Sequence, residues 1–91
     1  MKHSSYFEGK VQSLSFNTPQ GRATAGVIEP GTYSFSTSSE EIMSVTEGEL
    51  KYRLPGGEWL NAKKGQSFTV AAGVAFECAT DKDASYICYY K

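Results

Sequence analysis

A single histidine, His3, is all the imidazole the 91 residues contain, and that scarcity removes several chemistries at once. A histidine-based nucleophile triad has no base here. A metal centre built from two or three imidazoles has no ligands. His3 sits in the opening stretch Met1-Lys2-His3-Ser4-Ser5, so residues 1–5 read as a flexible tail with a solvated histidine. Neither a Walker loop nor a GxGxxG turn is present to cradle phosphates. No apolar run follows the N-terminus, which argues against a signal peptide or a membrane span and for a cytoplasmic protein.

Excess charge of one sign is missing too. Nine Lys and Arg face ten Asp and Glu, for a net charge of −1, and Lys63-Lys64 is the only basic pair. Without a basic stripe among its aromatics, the chain lacks the electrostatic footprint of a polynucleotide binder. A nucleotide-sized ligand stays open. The two cysteines, Cys78 and Cys88, do not have the CxxC spacing of redox or zinc sites. They flank the turn Thr80-Asp81-Lys82-Asp83, where a hairpin would set them opposite one another. Two reduced, small apolar residues are the preferred reading over a disulfide.

Aromatic side chains are plentiful: six Tyr, five Phe and one Trp. Flat and β-branched side chains pack well on pleated surfaces. Short runs with period-2 character recur between glycine-bearing turns, the signature of an all-β chain. Strands are predicted over Lys10–Phe16, Arg22–Ile28, Thr32–Thr37, Glu41–Thr46, Glu49–Leu54, Trp59–Asn61, Gln66–Val70, Phe76–Ala79 and Ser85–Tyr90. So many short strands in one small domain, residues 1–91, must curl into a sandwich or barrel rather than stay open. Alternate residues would then face a lumen just wide enough for side chains or one small ligand. A chain this short buries only about 60–65% of its unfolded surface, a thin margin that pairing with a second copy would relieve.

Alternation puts Tyr33, Phe35 and Thr37 on one face of their strand, and Glu41, Met43 and Val45 on one face of the next. A carboxylate among inward apolar residues is costly unless it is paired, hydrogen-bonded or functional. Glu41 is therefore either an inward functional acid or, with Glu40, part of a solvated strand entrance. Spacing leaves both open.

The segment Glu41-x6-Gly48 resembles the end of the first cupin motif, and Gly65, Gly73 and Phe76 align with the second. The first-motif histidine positions hold Phe35 and Thr37 (Ser34 and Ser36 with the longer spacer), Phe76 replaces the second-motif histidine, and Ala71 stands at its proline. By that resemblance the fold is a cupin-type β-barrel or jelly roll, RmlC-like, without a metal.

A narrower likeness covers nearly the whole chain. Tyr6-Phe7-x-Gly9-Lys10-Val11, Gly21-Arg22-Ala23, Gly31-x-Tyr33-x-Phe35-x-Thr37, Glu41-x-Met43-x-Val45-x-x-Gly48-x-Leu50 and Tyr86-x-Cys88-x-Tyr90 occur in that order. Together they resemble the small single-cupin pyrimidine/purine nucleoside phosphorylases of bacteria. The resemblance implies homodimers that need no cofactor and cleave diverse nucleosides with inorganic phosphate, giving free base and pentose 1-phosphate.

On that reading Glu41 is the catalytic residue, engaging the ribose hydroxyls or protonating the departing base. Arg22 is the first candidate for phosphate, since guanidinium matches it with two parallel bonds. Lys10 is the second. Thr37 offers a hydroxyl, and Tyr33, Phe35 and Phe76 offer faces on which a base can stack. The competing reading is a non-enzymatic cupin that binds a sugar or nucleoside. A metal-dependent cupin oxygenase or isomerase is disfavoured by the missing histidines.

Overall fold

The computed structural model describes residues 1–91 as ten strands without a helix. They are β1 (Lys2–Tyr6), β2 (Val11–Thr18), β3 (Gly21–Ile28), β4 (Gly31–Ser36), β5 (Glu41–Glu47), β6 (Glu49–Arg53), β7 (Leu60–Lys63), β8 (Ser67–Val70), β9 (Ala75–Thr80) and β10 (Ala84–Tyr90). Two antiparallel sheets result: six strands in the order β1-β2-β3-β10-β5-β8, and four in the order β4-β9-β6-β7. The chain crosses between sheets after β3, β4, β5, β7, β8 and β9, so the two layers face each other across a shared interior. No helix is long and apolar enough to cross a membrane.

Three expectations change. Residues 1–5, read as a flexible tail, contribute β1, which pairs with β2 from Lys2↔Ser15 to Tyr6↔Val11. His3 is thereby tied to the Gln12 side chain at 2.9 Å. An edge strand is held by its backbone ladder and needs no apolar alternation, which is why polar composition hid it. Cys78 and Cys88 are not hairpin partners. Their strands, β9 and β10, belong to different sheets, so the turn between them carries the chain from one layer to the other. Both thiols are free and buried. The strand expected at Trp59–Asn61 lies slightly later, at Leu60–Lys63.

Period-2 alternation sets the faces as the sequence suggests. Val11 of β2, Thr24 and Ile28 of β3, Met43 and Val45 of β5, and Tyr86 and Cys88 of β10 are buried on the inner face of the large sheet. The small sheet adds Tyr33, Leu50, Phe76 and Cys78. Apart from the polar Thr24, they form one hydrophobic cluster together with Ala62, Phe68, Val70 and Ala84. Tyr52 stacks flat on Phe68 with ring centres 3.8 Å apart. The cluster does not fill the barrel. A cavity remains among its members.

Candidate active site

The cavity has a volume of about 410 Å³, is lined by both sheets and is partly open to solvent. Its walls differ in chemistry. Phe35, Phe76 and Phe7 gather on one side, with Ser34 and Ser36 of β4 among them, whereas Glu41, Thr24, Ser13, Tyr86, Cys88 and Tyr90 give the large-sheet side its polar atoms. The difference follows from register. Tyr90 pairs with Glu41 and Cys88 with Met43, while Cys88 also pairs with Thr24, so inward positions of β3, β10 and β5 form adjacent rows.

Glu41 is thus an inward acid and not a solvated strand entrance. The Cys88 thiol donates to its Oε1 at 3.2 Å. Burial pushes the Glu41 carboxyl above its ordinary range, and the Cys88 bond and the nearby Arg22 charge pull it back. Burial also drives both thiols, Cys78 and Cys88, up to about 12, with the Glu41 carboxylate adding to the effect. Tyr90 is likewise pushed up to about 12 by burial, and Tyr86 is raised further. At neutral pH these thiols and phenols are neutral donors rather than nucleophiles. The cavity therefore offers hydroxyl groups and one carboxyl.

Arg22 does not itself line the cavity but adjoins it through Tyr90, which does. It is exposed, and its guanidinium lies over the Tyr90 ring at 4.1 Å from the centroid. The Tyr90 hydroxyl is in turn 3.3 Å from Thr24 Oγ1. No carboxylate comes within ion-pair distance of Arg22, whereas Arg53 is committed to Glu77 on the outer face of the small sheet. Arg22 consequently keeps its N–H fork available.

The other sequence candidates separate. Phe35 and Phe76 line the cavity with ring centres 5.7 Å apart. Tyr33 is buried behind them, and its hydroxyl donates to the carbonyls of Glu29 and Pro30 at 2.8 and 3.1 Å. Its ring approaches the backbone of Gly31, where an added Cβ would meet the Tyr33 hydroxyl at 2.8 Å. Thr37 is occupied as well. It donates to Ala71 O at 2.7 Å and accepts from Val74 N–H at 3.1 Å, fastening two loops rather than facing the cavity. Lys10 lies in the β1–β2 turn, exposed, with its carbonyl accepting from Glu29 N–H at 2.8 Å. The geometry gives Tyr33 and Thr37 structural jobs and keeps Lys10 outside the cavity.

Sequence reading assigned no role to Phe7, Ser13, Thr24, Tyr86, Cys88 or Tyr90. The alternation Tyr86-x-Cys88-x-Tyr90 carried the signal for three of them, since one inward residue on a strand makes its i±2 neighbours inward too. Gly26 contributes by what it lacks: a Cβ there would lie 2.5 Å from the Tyr86 hydroxyl. The missing side chain lets the Tyr86 ring lie flat on β3 and leaves the cavity open.

Comparison with known proteins matches this architecture to a family. The model of the pyrimidine/purine nucleoside phosphorylase family matches residues 1–90. The chain belongs to that family. A pyrimidine/purine nucleoside phosphorylase of Pseudoalteromonas atlantica is 45% identical over 86 residues, covering 93% of this chain and 92% of the relative. A crystal structure of a Vibrio parahaemolyticus protein of unknown function superposes with a TM-score of 0.95 at 36% identity, covering 99% and 97% of the two chains. A cupin-like protein of Thermotoga maritima, 22% identical, shares the fold with a TM-score of 0.73 over 86% of this chain and 65% of the other. The fold of this nucleoside phosphorylase family member is the expected cupin-type barrel.

Proposed function

We propose that this chain, as a single domain spanning residues 1–91, is a nucleoside phosphorylase. It cleaves purine and pyrimidine nucleosides with inorganic phosphate inside the barrel. The observation that carries the reading is the cavity of a family member, with phenylalanine rings gathered on one side and the Glu41 carboxyl among hydroxyl groups on the other.

In the reaction a phosphate oxygen bonds to C1′ of the pentose as the C1′–N bond breaks. The bonding electrons leave with the base, and the proton carried by hydrogen phosphate ends on it. Charge builds on the sugar ring along an oxocarbenium-like path. Glu41 accepts hydrogen bonds from the ribose hydroxyls and offsets that charge. Arg22, fixed on Tyr90, holds phosphate by its planar fork beside the cavity. Thr24, Tyr86 and Tyr90 supply neutral hydroxyls between the two. Phe35 and Phe76 receive the base, and stacking accepts any base because every base has a π-face. No step calls on a metal or organic cofactor.

A homodimer is part of this reading, with an interface supported by the outer face of the large sheet. There Leu14, Phe16, Val27 and Tyr89 are exposed beside Ala25, Ile42 and Ile87, and none of these neighbouring positions is charged. A contiguous apolar face of this kind matches the self-complementary surface of a two-fold pair. Phe16→Glu should convert a dimer in sedimentation to a monomer. A cytoplasmic setting, where buried thiols stay reduced, agrees with the free state of Cys78 and Cys88.

The test of the function is incubation with uridine or adenosine, with and without phosphate. Free base that appears only with phosphate supports the reading. Saturable nucleoside binding with no base released would favour a non-enzymatic binding cupin instead.

A further inference from the structure

The β1–β2 turn places a bulky side chain where the backbone resists one. Phe7 has φ of 53°, Glu8 58° and Gly9 86°, three consecutive left-handed residues of which only the last is a glycine. For an aromatic residue this region is an outlier that persists only when its surroundings enforce it. Here Gly9 N–H donates to Tyr6 O at 3.1 Å, Lys10 N–H donates to Phe7 O at 3.2 Å, and the Gln12 amide donates to Gly9 O at 3.0 Å.

The consequence of this geometry is where the Phe7 ring goes. It leaves the edge hairpin of the large sheet and lands on β4, the edge strand of the small one, 4.9 Å from Tyr33 and 5.6 Å from Phe35. It lines the cavity, yet stays 42% exposed. Tyr33 beneath it is anchored by its two backbone acceptors. Phe7 is thus the loosely covered outer member of an aromatic row whose inner members are fixed. A base held between two parallel rings needs them about 7 Å apart, two contact distances of about 3.5 Å. Phe7 stands edge-on to Phe35, at 84° with centroids 5.6 Å apart, and Phe35 and Phe76 are tilted by 32° at 5.7 Å, so neither pair forms a parallel slot wide enough for a base.

We propose that Phe7 is a substrate-binding residue that covers the base end of the cavity, moving off Phe35 as a nucleoside enters and closing on the base. This rests on the cavity being the nucleoside site. The turn and strand β1 are the part that moves, because β1 is outermost and pairs with β2 alone, whereas β2 is held to β3 along its whole length. The fixed partners, Tyr33, Phe35 and Phe76, set the shape against which it closes.

Two variants test it. Phe7→Gly removes the ring while relieving the backbone, so its folding is not endangered by the turn. Phe7→Tyr keeps the ring. Loss of one base–aromatic stack corresponds to about a 5- to 150-fold weakening. The expected result is a rise of that size in KM for nucleoside with Phe7→Gly, an unchanged KM for phosphate, and near wild-type values with Phe7→Tyr. A nucleoside KM within twofold of wild type for Phe7→Gly, or an equal rise in both KM values, overturns the inference while leaving the phosphorylase reading standing. Wild-type protein that neither binds uridine nor releases base with phosphate overturns both.

Discussion

The Arg22 guanidinium rests over the Tyr90 ring at 4.1 Å, and the Tyr90 hydroxyl meets Thr24 on the same strand as Arg22. Tyr90 is thereby a positioning residue for a cation with no carboxylate partner. A cation–π contact is worth about 0.5–2 kcal/mol, equivalent to about a 2- to 30-fold change in affinity. Tyr90→Leu should raise KM for phosphate by that factor relative to Tyr90→Phe, which lacks the same hydroxyl but keeps the ring. Steady-state kinetics with each substrate varied in turn provides the check.

Glu41 should leave its mark on the pH profile. Its raised pKa means the carboxylate forms only above the ordinary carboxylate range, so kcat/KM should climb as pH rises through that displaced value. Cys88→Ala removes the thiol that donates to Oε1, which should move the acid limb to higher pH. Should the limb stay where it is in Cys88→Ala, a different group governs it.

The same shift has a consequence for stability. In the folded state the neutral acid is favoured, so the fold binds more protons than the unfolded chain between the two pKa values, and stability falls as pH rises across that window. Glu41→Gln should therefore stabilise the protein at neutral pH, by less than about 1 kcal/mol because the group is partly solvated. The gain should vanish below the ordinary carboxylate range. Denaturant titrations at two pH values measure it.

Thr37→Val separates a structural hydroxyl from a catalytic one. The side chain fastens Ala71 and Val74, and losing a buried donor and acceptor costs about 1–3 kcal/mol. The denaturant midpoint should drop while kcat and both KM values of the folded enzyme hold. A large loss of kcat without loss of stability would return Thr37 to the site.

Gly26→Ala should act on the cavity rather than on the turn chemistry usual for glycine. The new Cβ meets the Tyr86 ring and must push it into the cavity. Overpacking of this kind costs about 1–3 kcal/mol. KM for purine nucleosides should rise more than for the smaller pyrimidine nucleosides. Equal changes for both would mean the ring finds another way to relax.

Much of the barrel was legible because strands have period 2. Alternation put Glu41 on the face of Met43 and Val45 but left a solvated strand entrance equally open, and only the closed barrel turns that face inward. The β1 strand was hidden because an edge strand is specified by backbone pairing, not by an apolar face. Tyr33 and Thr37 misled for a related reason: inward direction is readable from alternation, but which loop carbonyl a hydroxyl will meet depends on tertiary closure. Phe7 was invisible as a site residue because its placement comes from left-handed backbone in a turn, which no propensity for phenylalanine suggests.

The most direct test of the central claim is ³¹P NMR of the protein with uridine and phosphate, run in parallel with the Glu41→Gln variant after both are shown to share one folded state. A pentose 1-phosphate resonance should grow with the wild-type protein, matched by free uracil, and should slow by on the order of 100-fold or more in the variant. Growth at the same rate with Glu41→Gln would contradict the account.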